Sequence, residues 1–181
     1  MTKQIACNII VHALGARDMK INFREALNNP GKKFEDVFEW DFDNKFLEYM
    51  PHKKTGIGEV RLNYFSSDDG VIDLNIEFRQ PYLFVCDKCG DTFEKNLYIV
   101  TNEKIYKDGV DNFVYDSNLE LNISEVLNQI ITPLFPQQVL CKSDCKGVCT
   151  KCGANLNYEK CTCCDSGAGQ NNPFGQLLGK L

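Results

Sequence analysis

The residues of this chain best equipped for chemistry are its cysteines, 10 of them in 181 residues, set against 2 histidines. Two segments repeat each other: Cys86-Asp87-Lys88-Cys89-Gly90 and Cys149-Thr150-Lys151-Cys152-Gly153. Each has the form of a zinc knuckle. Two intervening residues let the backbone turn so that both thiolates face one ion at about 2.3 Å. The glycine after the second cysteine can adopt φ > 0 while backbone N–H groups turn toward the sulfurs. One such pair is a moderate signal, whereas two with trailing glycines, beside further cysteines, are a strong one.

A tetrahedral site needs four ligands, so each knuckle requires a second pair. Cys161 and Cys163 follow the second knuckle after a loop long enough to return over the metal, which gives Cys149, Cys152, Cys161 and Cys163 as one site. Cys141 and Cys145 then partner Cys86 and Cys89 by elimination, although they could also join the C-terminal site. The long chain between them adds only a modest closure entropy, because that cost grows logarithmically. Cys164 is a spare, an alternative to Cys163, or a reactive thiol. Cys7 alternates with Ile5, Ile9 and Val11 and reads as a small buried hydrophobe. His12 and His52 are far from the clusters in sequence and read as bystanders. Lys88, Lys142, Lys146, Lys151 and Lys160 are interleaved with the ligands and would offset the thiolate charge, or simply keep the surface soluble.

Thiolates alone close both sites, and no histidine lies in the cysteine-rich tail to serve as a base. Two structural zinc ions are therefore expected, rather than a catalytic zinc with an open position. No Ser-His-Asp pattern, phosphate loop or nucleotide fingerprint is readable, so neither an enzyme nor a small-molecule substrate is expected. A thiol redox protein using Cys86 and Cys89 is one alternative, but active dithiols normally open a helix in a βαβ setting. An iron–sulfur or metal-sensing regulatory protein is another, since all-thiolate sites also hold iron.

The elements that must position these cysteines are mostly strands. Val60, Leu62 and Tyr64 alternate with polar residues. Turn residues at 66–70 follow, and Ile72, Leu74, Ile76 and Phe78 alternate again, which predicts a hairpin with one wet face. Pro81 is expected to interrupt the ladder. The run from Tyr82 to Val85 leads into the first knuckle and Phe93 to Thr101 reads as a returning strand, so Cys86 and Cys89 fall at a hairpin tip. Ile5 to Val11 reads as a strand, Ile21 to Phe23 as a strand or short helix, and Asp43 to Met50 as one or two helical turns. A helix is expected near 122–132, capped by Asn122 with Glu125 at its third position. Its apolar stripe is Ile123, Val126, Leu127, Ile130 and Ile131, ahead of Pro133. The fold class is thus α+β: a predominantly antiparallel β scaffold with one packed helix and a cysteine-rich, zinc-knuckle C-terminal segment. Three regions are expected: 1–136, β-rich with the helix; 137–164, metal-binding; and 165–181, a Gly- and Asn-rich connector with a short apolar tail that docks on its own domain or on a partner.

Composition narrows the class further. At 43% hydrophobic and 25% charged, the chain is an ordinary globular protein. No apolar stretch approaches the length of a membrane span and no export signal is readable, so a cytoplasmic protein without a membrane partner is expected. In that reducing compartment the cysteines point to metal rather than disulfides. The net charge of −5 is concentrated in the middle, where residues 61–140 hold 13 acidic and 6 basic side chains. That is unlike the domain-wide positive field of a protein whose affinity rests on phosphate contacts, and it leans toward a basic protein partner.

The first knuckle followed by Phe93, the segment Ile123-Ser124-Glu125-Val126-Leu127 running into Pro133-Leu134-Phe135-Pro136, and the stretch from Cys145 to Asn157 together resemble the YceD family. Asn172-Pro173-Phe174 with Leu177 resembles its C-terminal signature. Coverage is good from about Val60 onward and thin before it. Members are small bacterial and plastid proteins implicated in accumulation of large-subunit ribosomal RNA. The resemblance implies a non-enzymatic role in ribosome assembly, with ribosomal RNA, a ribosomal protein or another assembly factor as partner. It carries over Cys86 and Cys89 as the widely shared pair, with Cys145, Cys149, Cys152, Cys161 and Cys163 matching the cysteine-rich tail of some members. Val148 and Thr150 stand where leucine and proline are expected there, departures that leave the ligands untouched.

Overall fold

A computed structural model describes residues 9–11, 19–42, 51–67, 69–109, 113–161 and 163. The expectations for Cys7, His12, the turns over Asp43 to Met50, Cys164, the connector and the apolar tail fall outside these residues. The chain divides into two compact units, Met1–Leu83 with Glu94–Gln137, and Phe84–Phe93 with Gln138–Leu181.

In the first unit, strands β1 (Ile9–Val11) and β2 (Met19–Asn22) precede a short helix α1 (Arg24–Asn28). The ambiguous Ile21 to Phe23 segment is therefore strand up to Asn22, and Asn22 Oδ1 accepts from the Arg24 N–H at 2.9 Å as the chain turns into the helix. Then come β3 (Phe34–Trp40), β4 (Lys53–Lys54), β5 (Gly58–Ser66), β6 (Ile72–Val85), β7 (Thr92–Tyr106), β8 (Phe113–Val114), β9 (Glu120–Asn122) and helix α2 (Ile123–Leu134). One sheet has the order β1-β2-β9, with both pairings antiparallel. The larger has the order β3-β5-β6-β7-β8, with β4 also on β6. The pairing of β7 with β8 is parallel, an exception in a mostly antiparallel fold.

Alternation in β5 and β6 does what period-2 spacing requires. Val60 faces Phe78, Leu62 faces Ile76 and Tyr64 faces Leu74, and all six are buried. Each such side chain contributes about 1.5–3 kcal/mol on leaving water. The turn between the strands closes with Gly70 at φ +79, its N–H on the Ser67 carbonyl at 3.1 Å. Pro81 does not end the strand. Pairing with β5 stops at Arg79, β4 takes over at Tyr82 and Leu83, and the Pro81 carbonyl accepts from Thr55 N–H at 3.1 Å. The residue without a donor thus sits where one partner strand hands over to the next, a position at which the missing N–H is tolerated.

Asn122 caps α2 through Oδ1, which accepts from the Glu125 N–H at 3.2 Å. Ile123, Val126, Leu127, Ile130 and Ile131 form its buried stripe. The helix packs on β2, where Met19 N–H donates to Ser124 Oγ at 3.3 Å. It runs through Pro133 to Leu134 rather than stopping before the proline, since one missing donor in the last turn leaves only one carbonyl without its helical partner. Phe135, directly after it, is buried among Phe42, Tyr82 and His52, with ring centroids 5.8–6.4 Å away. His52 is accordingly a core residue of the first unit. No helix among the described residues is long and apolar enough to cross a membrane.

Candidate metal centre

Strands β6 and β7 are neighbours joined by Cys86 to Asp91, a link too short for anything but an antiparallel hairpin, and this tip belongs to the second unit. The Cys86 N–H donates to the Asp91 carbonyl at 2.8 Å, and Gly90, at φ +76, donates to the Cys86 carbonyl at 2.9 Å. The second Cys-x-x-Cys-Gly turn repeats the pattern. Cys149 N–H donates to the Ala154 carbonyl and Gly153, again at φ +76, to the Cys149 carbonyl, both at 2.8 Å. Equal spacing has therefore produced equal backbone geometry, with each glycine in the left-handed region that a side chain would disfavour.

The structure brings the eight singled-out cysteines together in two sets of four: Cys86, Cys89, Cys141 and Cys145, and Cys149, Cys152, Cys161 and Cys163. Within each set all sulfurs lie within 4.8 Å of one another. In the hairpin-tip quartet Cys86 and Cys145 Sγ are 3.7 Å apart, as are Cys89 and Cys141 Sγ. Four sulfurs at about 2.3 Å from a tetrahedral ion stand about 3.8 Å from each other, so this quartet has the size of a metal cage. The C-terminal quartet is tighter, with separations of 3.5 Å for Cys149–Cys163 and Cys152–Cys161 and 2.9 Å for Cys161–Cys163. None of the eight is in a disulfide, which needs an S–S distance of about 2.05 Å.

The surroundings favour the thiolate at Cys86, Cys145 and Cys149 and oppose it at Cys89, Cys141 and Cys152. Burial opposes ionisation of Cys86, yet backbone N–H groups of Cys141, Cys89 and Lys88 outweigh it and hold the thiol down to about 6. Burial pushes Cys89 and Cys141 up. Backbone N–H groups of Cys152 and Lys151, aided by the Cys161 and Cys163 thiols, hold Cys149 down to about 5. The Asn157 side chain lowers Cys145. A cation is what lets every member of such a set ionise at once, and donors turned toward sulfur are the outer layer a thiolate site needs. Either quartet could therefore hold a metal ion.

Elements of unlike kind position the two sets. Cys86, Cys89 and Cys145 are buried in a small apolar cluster with Phe93, Leu140 and Cys141 against it. Asp87 fastens the tip to the tail segment: its N–H donates to the Val139 carbonyl at 2.9 Å, and the Val139 N–H donates to its carboxylate. In the other quartet only Cys149 is buried, and Cys152 is exposed. Lys88, Lys142, Lys146, Lys151 and Lys160 are all exposed. Asp91, Asn155 and Asn157, whose side chains bond around the hairpin-tip quartet, were not singled out from sequence. Their only signal is two asparagines, one residue apart, inside the loop between Cys152 and Cys161.

Comparison with known proteins decides the family. The family model described as "Large ribosomal RNA subunit accumulation protein YceD" matches residues 72–179, more than half of the chain. The chain belongs to the YceD family. It is also 43% identical over 44 residues to "Large ribosomal RNA subunit accumulation protein YCED homolog 1, chloroplastic" of Arabidopsis thaliana. That alignment covers 24% of this chain and 14% of the plant protein, so the chain corresponds to a small part of that relative. No solved structure matches. The family match takes in the hairpin from β6 onward, α2 and all eight clustered cysteines.

Proposed function

We propose that the protein is a non-enzymatic, zinc-binding factor that supports accumulation of large-subunit ribosomal RNA during ribosome assembly. Two structural zinc ions occupy the quartets, and the protein acts in the cytoplasm by contact with ribosomal RNA, a ribosomal protein or another assembly factor. The observation that carries this reading is the pair of all-thiolate quartets inside the region that matches the family. Four thiolates fill a tetrahedral ion and leave no position for a reacting water, which favours a structural role over a catalytic one.

The lowered Cys86 thiol is the one feature that suits the redox alternative, and the lack of access counts against it. Cys86 and Cys89 are both buried at a hairpin tip, whereas an attacking thiol needs access and commonly a helix N-terminus to lower its pKa. Depletion of the protein in its own cell tests the functional reading. Large-subunit ribosomal RNA is expected to fall, and the Cys86→Ser/Cys89→Ser variant is expected not to restore it. Normal ribosome profiles in a null strain would overturn the proposal.

A further inference from the structure

The loop between Cys152 and Cys161 reaches the other quartet. Asn157 Nδ2 donates to Cys145 Sγ at 3.4 Å, while Asn157 Oδ1 accepts from the Lys146 N–H at 3.0 Å, so the amide is held with its donor edge toward the sulfur. Asn155 Oδ1 accepts from both the backbone N–H and Nδ2 of Asn157, at 3.0 and 2.9 Å. Asn155 Nδ2 in turn donates to both carboxylate oxygens of Asp91 at 3.0 Å, and the Asp91 carbonyl holds the Cys86 N–H. Two cysteines of the hairpin-tip quartet, Cys86 and Cys145, are thus supported from one loop.

That loop is anchored at both ends in the C-terminal quartet. Its first half is pinned by Cys149 N–H on the Ala154 carbonyl at 2.8 Å, Leu156 N–H on the Gly147 carbonyl at 2.9 Å, and a bridge between Val148 and Asn155. Its far end leads into Cys161 and Cys163. A metal joining those two to Cys149 and Cys152 would fix the loop, and with it the donors offered to the hairpin-tip quartet. Without it, the ordering entropy of the loop falls on binding at the hairpin-tip quartet, so whichever ion binds first bears that cost and the second binds more tightly.

We infer that the C-terminal quartet and the hairpin-tip quartet load metal cooperatively, with Asn157 as the positioning residue that carries the coupling. The inference rests on the metal-binding reading above. Because coupling is reciprocal, filling either quartet raises the affinity of the other by the same factor. The full chain accordingly passes from empty to doubly loaded with little of the singly loaded form.

The test is a titration of the full-length protein with Co2+ and then Zn2+ against a chromogenic chelator, the cobalt–thiolate bands reporting whether each four-sulfur set forms. Removing the C-terminal site with Cys161→Ser/Cys163→Ser is expected to weaken the hairpin-tip site about 10- to 100-fold, the range typical of lost outer-layer partners. Asn157→Ala, with all eight cysteines present, is expected to weaken it comparably. Added to the cysteine variant, Asn157→Ala should cost less than about threefold more, since the two changes remove one interaction. Asn157→Gln, which keeps the donor, should recover part of the loss, and the near-isosteric Asn157→Asp should not. Independent filling of two sites, or fully additive losses, would overturn the coupling and leave both metal sites standing. A wild-type chain that binds neither ion would overturn the metal reading and the coupling with it.

Discussion

The hairpin-tip quartet joins cysteines far apart in the chain, Cys86 to Cys145 and Cys89 to Cys141, across 59 and 52 positions. The C-terminal quartet closes short loops, Cys152 to Cys161 and Cys149 to Cys163, across 9 and 14. With loop-closure cost rising by about 0.6 kcal/mol per doubling, the longer closure costs on the order of 1.5 kcal/mol more. It is met by burial: Cys86, Cys89 and Cys145 are 2, 7 and 5% exposed and sit in an apolar cluster, whereas Cys152 is exposed. Two copies of one thiolate motif therefore stand in different settings. One gathers segments distant in sequence in a small core, and the other lies on a local loop.

The largest test of this contrast is Cys86→Ser/Cys89→Ser against Cys152→Ser/Cys161→Ser. Structural zinc in small domains contributes apparent binding energies of about 10–16 kcal/mol that count as folding energy. The tip variant is expected to lose protease resistance throughout residues 138–163, while the C-terminal variant loses it mainly from 150 onward; equal digestion patterns would break the comparison. Next in size is access. Limited alkylation of the zinc-loaded protein, read by mass spectrometry, should label Cys152 at least about tenfold faster than Cys86, because Cys152 is exposed and Cys86 is buried. Labelling of Cys86 first would favour the redox reading instead.

Smaller effects sharpen the contrast. Gly147 and Gly153 share φ values of +75 and +76, but a Cβ at Gly147 would stand 3.1 Å from the Lys88 carbonyl oxygen, while at Gly153 nothing lies within 4 Å. Gly153→Ala should cost about 1–2 kcal/mol, the backbone penalty alone, and Gly147→Ala measurably more, by denaturant midpoint. The smallest change lies in the first unit. Asn122→Ala removes the α2 cap for about 1 kcal/mol and should lower the melting temperature without altering metal content. A change in metal content would tie the first unit to the quartets.

Much of this was readable from sequence where the signal is local. The β5–β6 hairpin follows from strict alternation, α2 from Asn122 and its stripe, and the two knuckle turns from spacing and glycine. Counting to four ligands assembled the same quartets that the structure brings together. What stayed hidden depends on partners remote in sequence. Nothing near Phe113 announces a parallel pairing with β7, nor did His52 show that it would stack on Phe135. Pro81 and Pro133 mislead for a shared reason: each lacks one donor, and each occupies a place where that donor is dispensable. Asn155 and Asn157 are ordinary loop residues until the fold sets them beside Asp91 and Cys145.

Elemental analysis of the purified full chain tests the central claim most directly. With zinc supplied in excess, two ions per chain are expected, falling to one in Cys149→Ser/Cys152→Ser, which keeps all four hairpin-tip cysteines though at weakened affinity. A zinc content near zero, a coloured iron-bearing protein, or a count of two that survives that substitution would contradict it.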